Sequence, residues 1–291
     1  MSSDLWFGPN VDSDFQGLMD RPEEWVHARS NISTLQVYIQ NVEALAAGGF
    51  FKALQEAGLD LTIEAGAVKD WSLDGRNAAW AILRAIEQVR STGGEVQRVV
   101  LDEPLGAMQA NAITRDQTVE ATCHVINRVR AVGVREVGLI EPYPYCSADD
   151  IVAFMEAVQQ AGSSPSFLHL DVDRYGIKDQ RIKPAQACRD HQLVRGRCFA
   201  WGIPFGIVVF GQRAGSSEAV YRQSVLDWLP QMKYYCGGLP DRVIVQSWEI
   251  DPASGKLTMP HNAPETDRTS HTALVSEVAR FVGFDKSPTL W

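Results

Sequence analysis

The fold is indicated most clearly at residues 98–104, which read RVVLDEP. An apolar, β-branched run ends there in two acids and a proline, and an amphipathic stretch follows at Thr118–Val132. Near-continuous hydrophobic residues are typical of a parallel strand that is buried on both faces. The segment therefore predicts a buried strand with a polar C-terminal end, followed by a helix.

The same unit of strand and helix recurs along the whole chain. The strand-like runs are Leu5–Pro9, Leu35–Gln40, Leu61–Ala65, Arg98–Asp102, Glu136–Glu141, Phe167–Asp171, Phe205–Phe210 and Val243–Trp248. Helical patterns lie between and after them, at Pro22–Ala28, Val42–Ala57, Arg76–Arg90, Thr118–Val132, Ala148–Ala161, Ile182–Val194, Glu218–Met232 and Thr269–Phe284.

Eight such units in 291 residues average about 36 residues each, which suits a (β/α)8 barrel. The sequence therefore predicts a single (β/α)8 TIM barrel, with residues 1–291 forming one domain. An open doubly wound sheet is the alternative. It is less favoured because no glycine-rich phosphate fingerprint follows the first strand.

Charge and hydropathy narrow the classes of partner. The net charge of −9 argues against a nucleic-acid surface, which needs clustered Lys and Arg, and against an anionic membrane surface. No apolar run approaches the ~18 residues of a membrane span, so no membrane insertion is expected. The first residues lack the features of a signal peptide. We expect a cytoplasmic protein, or a secreted or periplasmic one if a leader was removed; the oligomeric state is left open.

Acidic and amide residues cluster where the predicted strands end. Active sites of such barrels form at the C-terminal ends of the strands, so these side chains are expected to share one mouth. The residues are Asn10, Glu64, Asp102, Glu103, Glu141, Asp171, Gln212 and Glu249. Several nearby carboxylates repel one another, and a fold tolerates that cost where function needs it.

Paired carboxylates are the groups that glycoside hydrolysis requires. One carboxylic acid protonates the leaving oxygen, and a second carboxylate attacks the anomeric carbon or activates water. Asp102 and Glu103 end the fourth strand and Glu141 ends the fifth, so each can raise the pKa of its neighbour. Aromatic rings that stack on sugars are also expected at strand ends, above all Trp248, Tyr143 and Tyr145. This function requires no cofactor and no metal.

At these residues the chain resembles the large clan of retaining glycoside hydrolases built on (β/α)8 barrels. That clan carries Asn-Glu-Pro at the end of strand four, matched here by Asp102-Glu103-Pro104, and a Trp at the end of strand eight, matched by Ser247-Trp248. The resemblance implies that Glu103 is the acid/base. The clan's nucleophilic Glu on strand seven is replaced by Gly211-Gln212.

Because that acid is absent, the nucleophile or base must come from elsewhere. Glu141 is the first choice, Glu249 the second, and Asp171 is also available. The absence also allows an inverting mechanism. The remaining acids, Glu64, Asp102 and Asp171 among them, are expected to bind substrate hydroxyls.

Three other functions remain open. His169, Asp171 and Asp173 alternate along the sixth strand and predict ligands for Mg²⁺ or Mn²⁺ in a metal-dependent sugar isomerase or epimerase. The glycine-rich segment 211–217 precedes a helix and could bind phosphate. The missing strand-seven acid also fits a glycan-binding barrel without catalysis.

Overall fold

Eight parallel strands close into a ring in which each strand pairs with its neighbours in sequence and the last pairs with the first. The computed structural model describes residues 4–9, 14–66, 74–211, 218–247 and 261–283. The strands are β1 (Asp4–Gly8), β2 (Thr34–Tyr38), β3 (Asp60–Gly66), β4 (Arg98–Asp102), β5 (Glu136–Tyr143), β6 (Leu168–Val172), β7 (Phe205–Val209) and β8 (Arg242–Gln246). The predicted (β/α)8 TIM barrel is confirmed.

Helices follow the strands and pack outside the ring. They are α1 (Phe15–Asp20), α2 (Val26–Asn31), α3 (Val42–Ala47), α4 (Phe50–Glu56), α5 (Arg76–Ser91), α6 (Pro104–Asn111), α7 (Arg115–Ala131), α8 (Ala148–Gln160), α9 (Arg174–Asp179), α10 (Pro184–Trp201), α11 (Glu218–Tyr235) and α12 (His271–Val282). Short 3₁₀ turns cover Pro22–Trp25 and Ile39–Asn41. In the described part of the chain, no helix has the length and apolarity to cross a membrane.

The helices depart from the sequence prediction in two respects. The pattern at Val42–Ala57 is two helices, because Gly49 adopts a left-handed conformation with φ 74° and redirects the chain between α3 and α4. Short helices α6 and α9 stand directly after β4 and β6, in segments for which the sequence predicted no helix. Both helices lie at the C-terminal ends of strands and shape the entrance to the barrel.

The strand register decides which acids face the interior. Asp102 is paired with Gly66 on β3 and with Ile140 on β5. Residues paired in this way share a face, and successive residues along a strand alternate between faces. Because Asp102 and Ile140 face the interior, Glu141 faces the surrounding helices.

The interior below the mouth is filled by aromatic and charged side chains. The Trp6 ring lies edge-on to the His169 ring, with centroids 4.9 Å apart. The guanidinium carbons of Arg98 and Arg242 lie 5.3 and 4.9 Å from the Trp6 ring centre. Since β4 and β8 are on opposite sides of the ring, the two arginines meet across the barrel axis and close its N-terminal end.

Candidate active site at the mouth of the barrel

A cavity of about 720 Å³ opens at the C-terminal ends of the strands. Among the described residues, its acids are Glu43, Glu64, Asp102, Glu103 and Asp171, and its single base is Arg84. Tyr38, Ile140, Val208 and Gln246 complete the wall near the barrel axis. The structure therefore brings four acids from β3, the β4–α6 junction and β6 into one space.

Glu64 is held by a hydrogen-bonded group of buried polar residues. Its Oε2 accepts hydrogen bonds from Nε2 of Gln36, at 2.5 Å, and from Nε2 of Gln246, at 2.7 Å. Gln246 Nε2 also donates to the Tyr38 hydroxyl at 2.8 Å. Burial, and then the nearby Glu64 carboxylate, raise the pKa of Tyr38 well above its usual value, so its hydroxyl keeps its proton. These partners fix the orientation of the Glu64 carboxylate in the mouth.

Asp171 lies across the mouth on β6 and has the clearest electrostatic signature. Burial raises its pKa well above the ordinary aspartate value, and the charges of Glu103, Asp102, Glu64 and Asp173 raise it further. Its buried Oδ1 makes no hydrogen bond to any described residue. Removal from water and repulsion by like charges both favour the protonated carboxylic acid. Asp171 is thus the carboxyl in this cavity for which the protonated form is clearly favoured.

Glu103 stands at the junction of β4 and α6, with φ at 50°. A left-handed conformation is uncommon for a residue with a side chain, and such strain is concentrated at functional sites. The Glu103 amide donates to the Ile140 carbonyl at 2.9 Å, which ties this turn to β5. Pro104 then begins α6 at a position that suits proline. The local chain therefore holds Glu103 at the rim of the cavity.

Glu141 lies behind this turn and not in the cavity lining. The residue is 0 % exposed, and its carboxylate accepts from the amides of Leu105 at 3.1 Å and Gly106 at 3.4 Å. Burial raises its pKa well above the usual value, and the Glu103 charge adds to that effect, whereas the two amides oppose it. Glu141 therefore caps the first turn of α6 and supports the Glu103 turn from outside the barrel.

The two tyrosines at and just after the end of β5 also lie outside the described lining. Tyr143 is 4 % exposed and its hydroxyl donates to Asp190 Oδ2 at 2.7 Å. Tyr145 is half exposed, but its hydroxyl donates to Asp173 Oδ2 at 2.5 Å. Their role as stacking platforms stays a prediction. Asn10, Gln212, Trp248 and Glu249 fall outside the described residues, as do the other residues of the glycine-rich segment, 213–217.

The three proposed metal ligands of β6 do not meet at one place, although His169 and Asp171 both face the barrel interior. His169 is buried beside Trp6, and burial together with Arg242 and Arg98 lowers its pKa well below the usual value. Asp173 lies beyond the end of β6, where its Oδ1 accepts from the Tyr175 amide and caps α9. Only Asp171 of the three lines the cavity. Within the described ranges, no three His, Cys, Asp or Glu side chains are grouped to hold a metal ion.

Solved structures share this architecture. A glucosidase from Croceicoccus marinus matches with TM-score 0.56 and 12 % identity, over 94 % of this chain and 65 % of that one. A D-allulose 3-epimerase from Methylomonas sp. matches with TM-score 0.57 and 14 % identity, over 98 % of both chains. The carboxyl transferase domain of Rhizobium etli pyruvate carboxylase gives TM-score 0.53 and 11 % identity, over 98 % of this chain and 48 % of that one.

These likenesses show the barrel fold. The chain spans slightly less than two thirds of the glucosidase's length. No protein-family model matches the sequence, and no curated protein resembles it closely enough to count as a relative. The function must therefore be argued from the site itself.

Sequence reasoning missed several residues that line the cavity, and also Gln36, which lies behind the lining and bonds Glu64. Gln36 and Tyr38 belong to a strand that was assigned no functional residue, although a glutamine inside an apolar run was an available signal. Gln246 lies within the predicted eighth strand, Val243–Trp248, but nothing in the sequence indicated a role for it. Trp80 and Arg84 lie on α5 and line the cavity. No sequence motif on that helix indicates that it borders the mouth.

Proposed function

We propose that this protein is an enzyme that acts on carbohydrates and cleaves a glycosidic bond with the carboxyl groups of the mouth. The observation that supports this most is Asp171, an acid with a raised pKa in the same cavity as Glu64, Asp102 and Glu103. Glycoside hydrolysis needs one carboxyl that keeps its proton and one that has lost it.

Asp171 takes the acid role in this mechanism. Its proton passes to the glycosidic oxygen as the bond to the anomeric carbon breaks, which turns the leaving group into a neutral alcohol. Glu103 is the second carboxylate, and it either attacks the anomeric carbon or removes a proton from the attacking water. Glu64, fixed by Gln36 and Gln246, accepts hydrogen bonds from substrate hydroxyls.

This assignment differs from the pair that the sequence favoured. Glu103 stays in the pair, but its role changes from the acid to the nucleophile or base. Glu141 has no exposed surface toward the cavity, and its oxygens face the amides of α6. We therefore give Glu141 a positioning role, since it holds the turn that carries Glu103. The shared barrel fold of the Croceicoccus marinus glucosidase is compatible with the proposal.

The test is turnover of glycosides by matched amide variants. Purified protein is screened against aryl glycosides and neutral oligosaccharides, and Asp171→Asn and Glu103→Gln are compared with the native chain. Each variant is expected to lose about 10² to 10⁴-fold in kcat, the usual contribution of a positioned acid or base.

Asp149→Asn is the control for that test. This exposed acid lies in the first turn of α8 and outside the described cavity lining. Its kcat should stay within a few-fold of native. Hydrolysis that survives unchanged in both Asp171→Asn and Glu103→Gln would show that these carboxyls do not carry the reaction.

Epimerisation of a sugar is the second candidate. It is favoured by the placement of a protonated Asp171 on β6 and a hydrogen-bonded Glu64 on β3, across one mouth. One carboxyl could remove a proton from carbon beside a carbonyl while the other returns it. The Methylomonas epimerase shares the fold over nearly the whole of both chains.

The two candidates differ in what happens to solvent hydrogen. Epimerisation in D₂O places deuterium on carbon of a ketose or aldose, measured by mass spectrometry and NMR. Hydrolysis places none there and releases a reducing end. Parallel assays with EDTA, and with added Mn²⁺ or Mg²⁺, test whether either activity depends on a divalent metal.

A further inference from the structure

The cavity does not end at the barrel mouth. It continues outward over the ends of β2 and β3 into a groove between α3 and α5, lined by Ile39, Gln40, Glu43, Trp80, Ala81, Arg84, Ala85 and Gln88. We propose that this groove is an outer subsite that binds further sugar units of the same chain, with Trp80 as its stacking platform. The proposal rests on the proposed function and specifies a neutral oligosaccharide as the substrate.

The length of the groove follows from the helix that borders it. Its α5 residues begin at Trp80 and end at Gln88. Eight residues of α-helix rise by about 12 Å. The groove therefore has room for more than a single ring beyond the acids of the mouth.

Alanines keep the groove open. Ala81, Ala85 and Gln88 are spaced as i, i+4 and i+7, so they lie on one stripe of α5 that faces α3. The neighbouring positions Ile82 and Ile86 are buried in the barrel core instead. A larger side chain at position 81 would occupy the space between the helices.

Trp80 is the feature that points to a sugar. Its side chain is 61 % exposed although it lines a cavity. The Arg84 guanidinium lies 5.0 Å from the ring centre. This cation–π contact orients the indole, and an indole offers a flat apolar surface on which the C–H face of a sugar ring can stack.

The polar groups of the groove suit a neutral ligand. Gln40 and Gln88 each offer amide donors and an acceptor. They can therefore bond a sugar hydroxyl that accepts a hydrogen bond or one that donates it. Glu43 adds an acceptor. The acids at the inner end of the cavity repel an anionic sugar, so a neutral chain that runs from Trp80 to Asp171 fits the charge along the whole path.

The test measures how affinity depends on chain length. The probes are neutral gluco-, xylo-, manno- and galacto-oligosaccharides of one to six units, titrated by calorimetry into the Glu103→Gln variant so that the ligand stays intact. We expect affinity to rise with length. In Trp80→Ala the ratio of long-chain to short-chain affinity should fall roughly tenfold, in line with the loss of an aromatic contact in a binding site.

Ala81→Leu is the second variant, because it fills the groove and keeps Trp80. It should lower the same ratio by blocking the longer ligands. Phe199→Ala removes another exposed aromatic, on α10, and should leave the ratio unchanged. Thermal unfolding of each variant shows that the fold is retained.

The outcomes separate the two proposals. If short sugars bind but length brings no gain, or if the gain survives in both Trp80→Ala and Ala81→Leu, the outer subsite is overturned and the proposed function stands. If no neutral saccharide of any length binds, both are overturned. A loss of the gain in both variants, with Phe199→Ala unaffected, supports the subsite.

Discussion

Both ends of the barrel interior carry charged side chains, but the charges are arranged differently at the two ends. At the N-terminal end, Arg242 Nη2 lies 2.9 Å from Glu136 Oε2 and Arg98 Nη1 lies 2.7 Å from Asp60 Oδ2. At the C-terminal mouth, Glu64, Asp102, Glu103 and Asp171 share a cavity in which Arg84, on the outer groove, is the single described base. The N-terminal end pairs arginines with acids, and the C-terminal mouth gathers four acids in one cavity.

We interpret the paired charges as structural and assign the acids of the mouth to the proposed function. The paired arginines also lie over the Trp6 ring and complete a plug that closes the barrel. At the mouth, burial and then the charges of the nearby acids raise the pKa of Asp171, and keeping such a carboxyl in the folded protein costs stability. Such a cost is retained where chemistry needs a proton donor near neutral pH. Substitutions at each end should therefore change different quantities.

The largest effect on stability is expected from Arg242→Met. The change removes the contacts of a nearly buried guanidinium with Asp4 at 3.5 Å and Glu136 at 2.9 Å, whose side chains are 27 % and 31 % exposed. Because the two acids keep some contact with water, we expect a loss of about 3 kcal/mol, the low end of the cost of breaking a buried ion pair from one side. Urea unfolding followed by tryptophan fluorescence measures the loss, and turnover per folded molecule should be unchanged.

Arg21→Met is the matched control for that measurement. Arg21 pairs with Asp14 at 3.3 Å, but both side chains are about half exposed or more. Exposed pairs contribute about 0 to 1 kcal/mol. If both variants lost the same free energy of unfolding, the plug would contribute no more to stability than an exposed ion pair.

A smaller effect is expected at Glu141, which lies on the outer face of β5. Glu141→Ala leaves the buried amides of Leu105 and Gly106 without their acceptor, a loss of about 1 to 3 kcal/mol. The loosened turn also displaces Glu103, so kcat should fall while KM changes little. Glu141→Gln keeps one side-chain oxygen and should restore most of both quantities. A catalytic Glu141 would instead lose kcat equally in the Ala and Gln variants, with no recovery.

The sequence was sufficient for the barrel because its signals are local and repeated. Each apolar run, such as the one at Arg98–Asp102, is readable without its partners, and the number of runs then indicates a closed ring. Glu64, Asp102, Glu103 and Asp171 were also found, since a polar residue that ends a buried strand must lie near the mouth.

The face that Glu141 occupies and the position of Trp80 depend on strand register and on tertiary packing. Glu141 ends its strand as clearly as Asp102 does, but a shift of one residue moves a side chain to the opposite face. Only the pairing of Asp102 with Ile140 shows which face Glu141 occupies. Trp80 lies on a helix whose distance from the mouth no local pattern specifies, so its position in the cavity could not be predicted.

The smallest expected effect is the change in the pH dependence of stability in Asp171→Asn. It tests directly whether the acids of the mouth cost stability, in contrast to the paired charges at the other end of the barrel. Asp171 has a raised pKa in the folded protein, so between its unfolded pKa, about 3.9, and its folded pKa the folded state holds a proton that the unfolded chain has released. Stability supplied by this group is fully present below the unfolded value and is lost as pH rises through the folded value. Asp171→Asn removes the titration. The variant should match the native protein at low pH and exceed its stability by about 1 kcal/mol at neutral pH, a usual gain when an active-site cost is relieved.

Asp149→Asn, a change to an exposed acid in the first turn of α8, is the control for this pH series. Its stability curve should run parallel to that of the native protein. If Asp171→Asn also ran parallel to the native curve at every pH, the carboxyl would carry no electrostatic strain. The mouth would then resemble the plug in its energetics, and the proton that the proposed mechanism draws from Asp171 would have no physical basis.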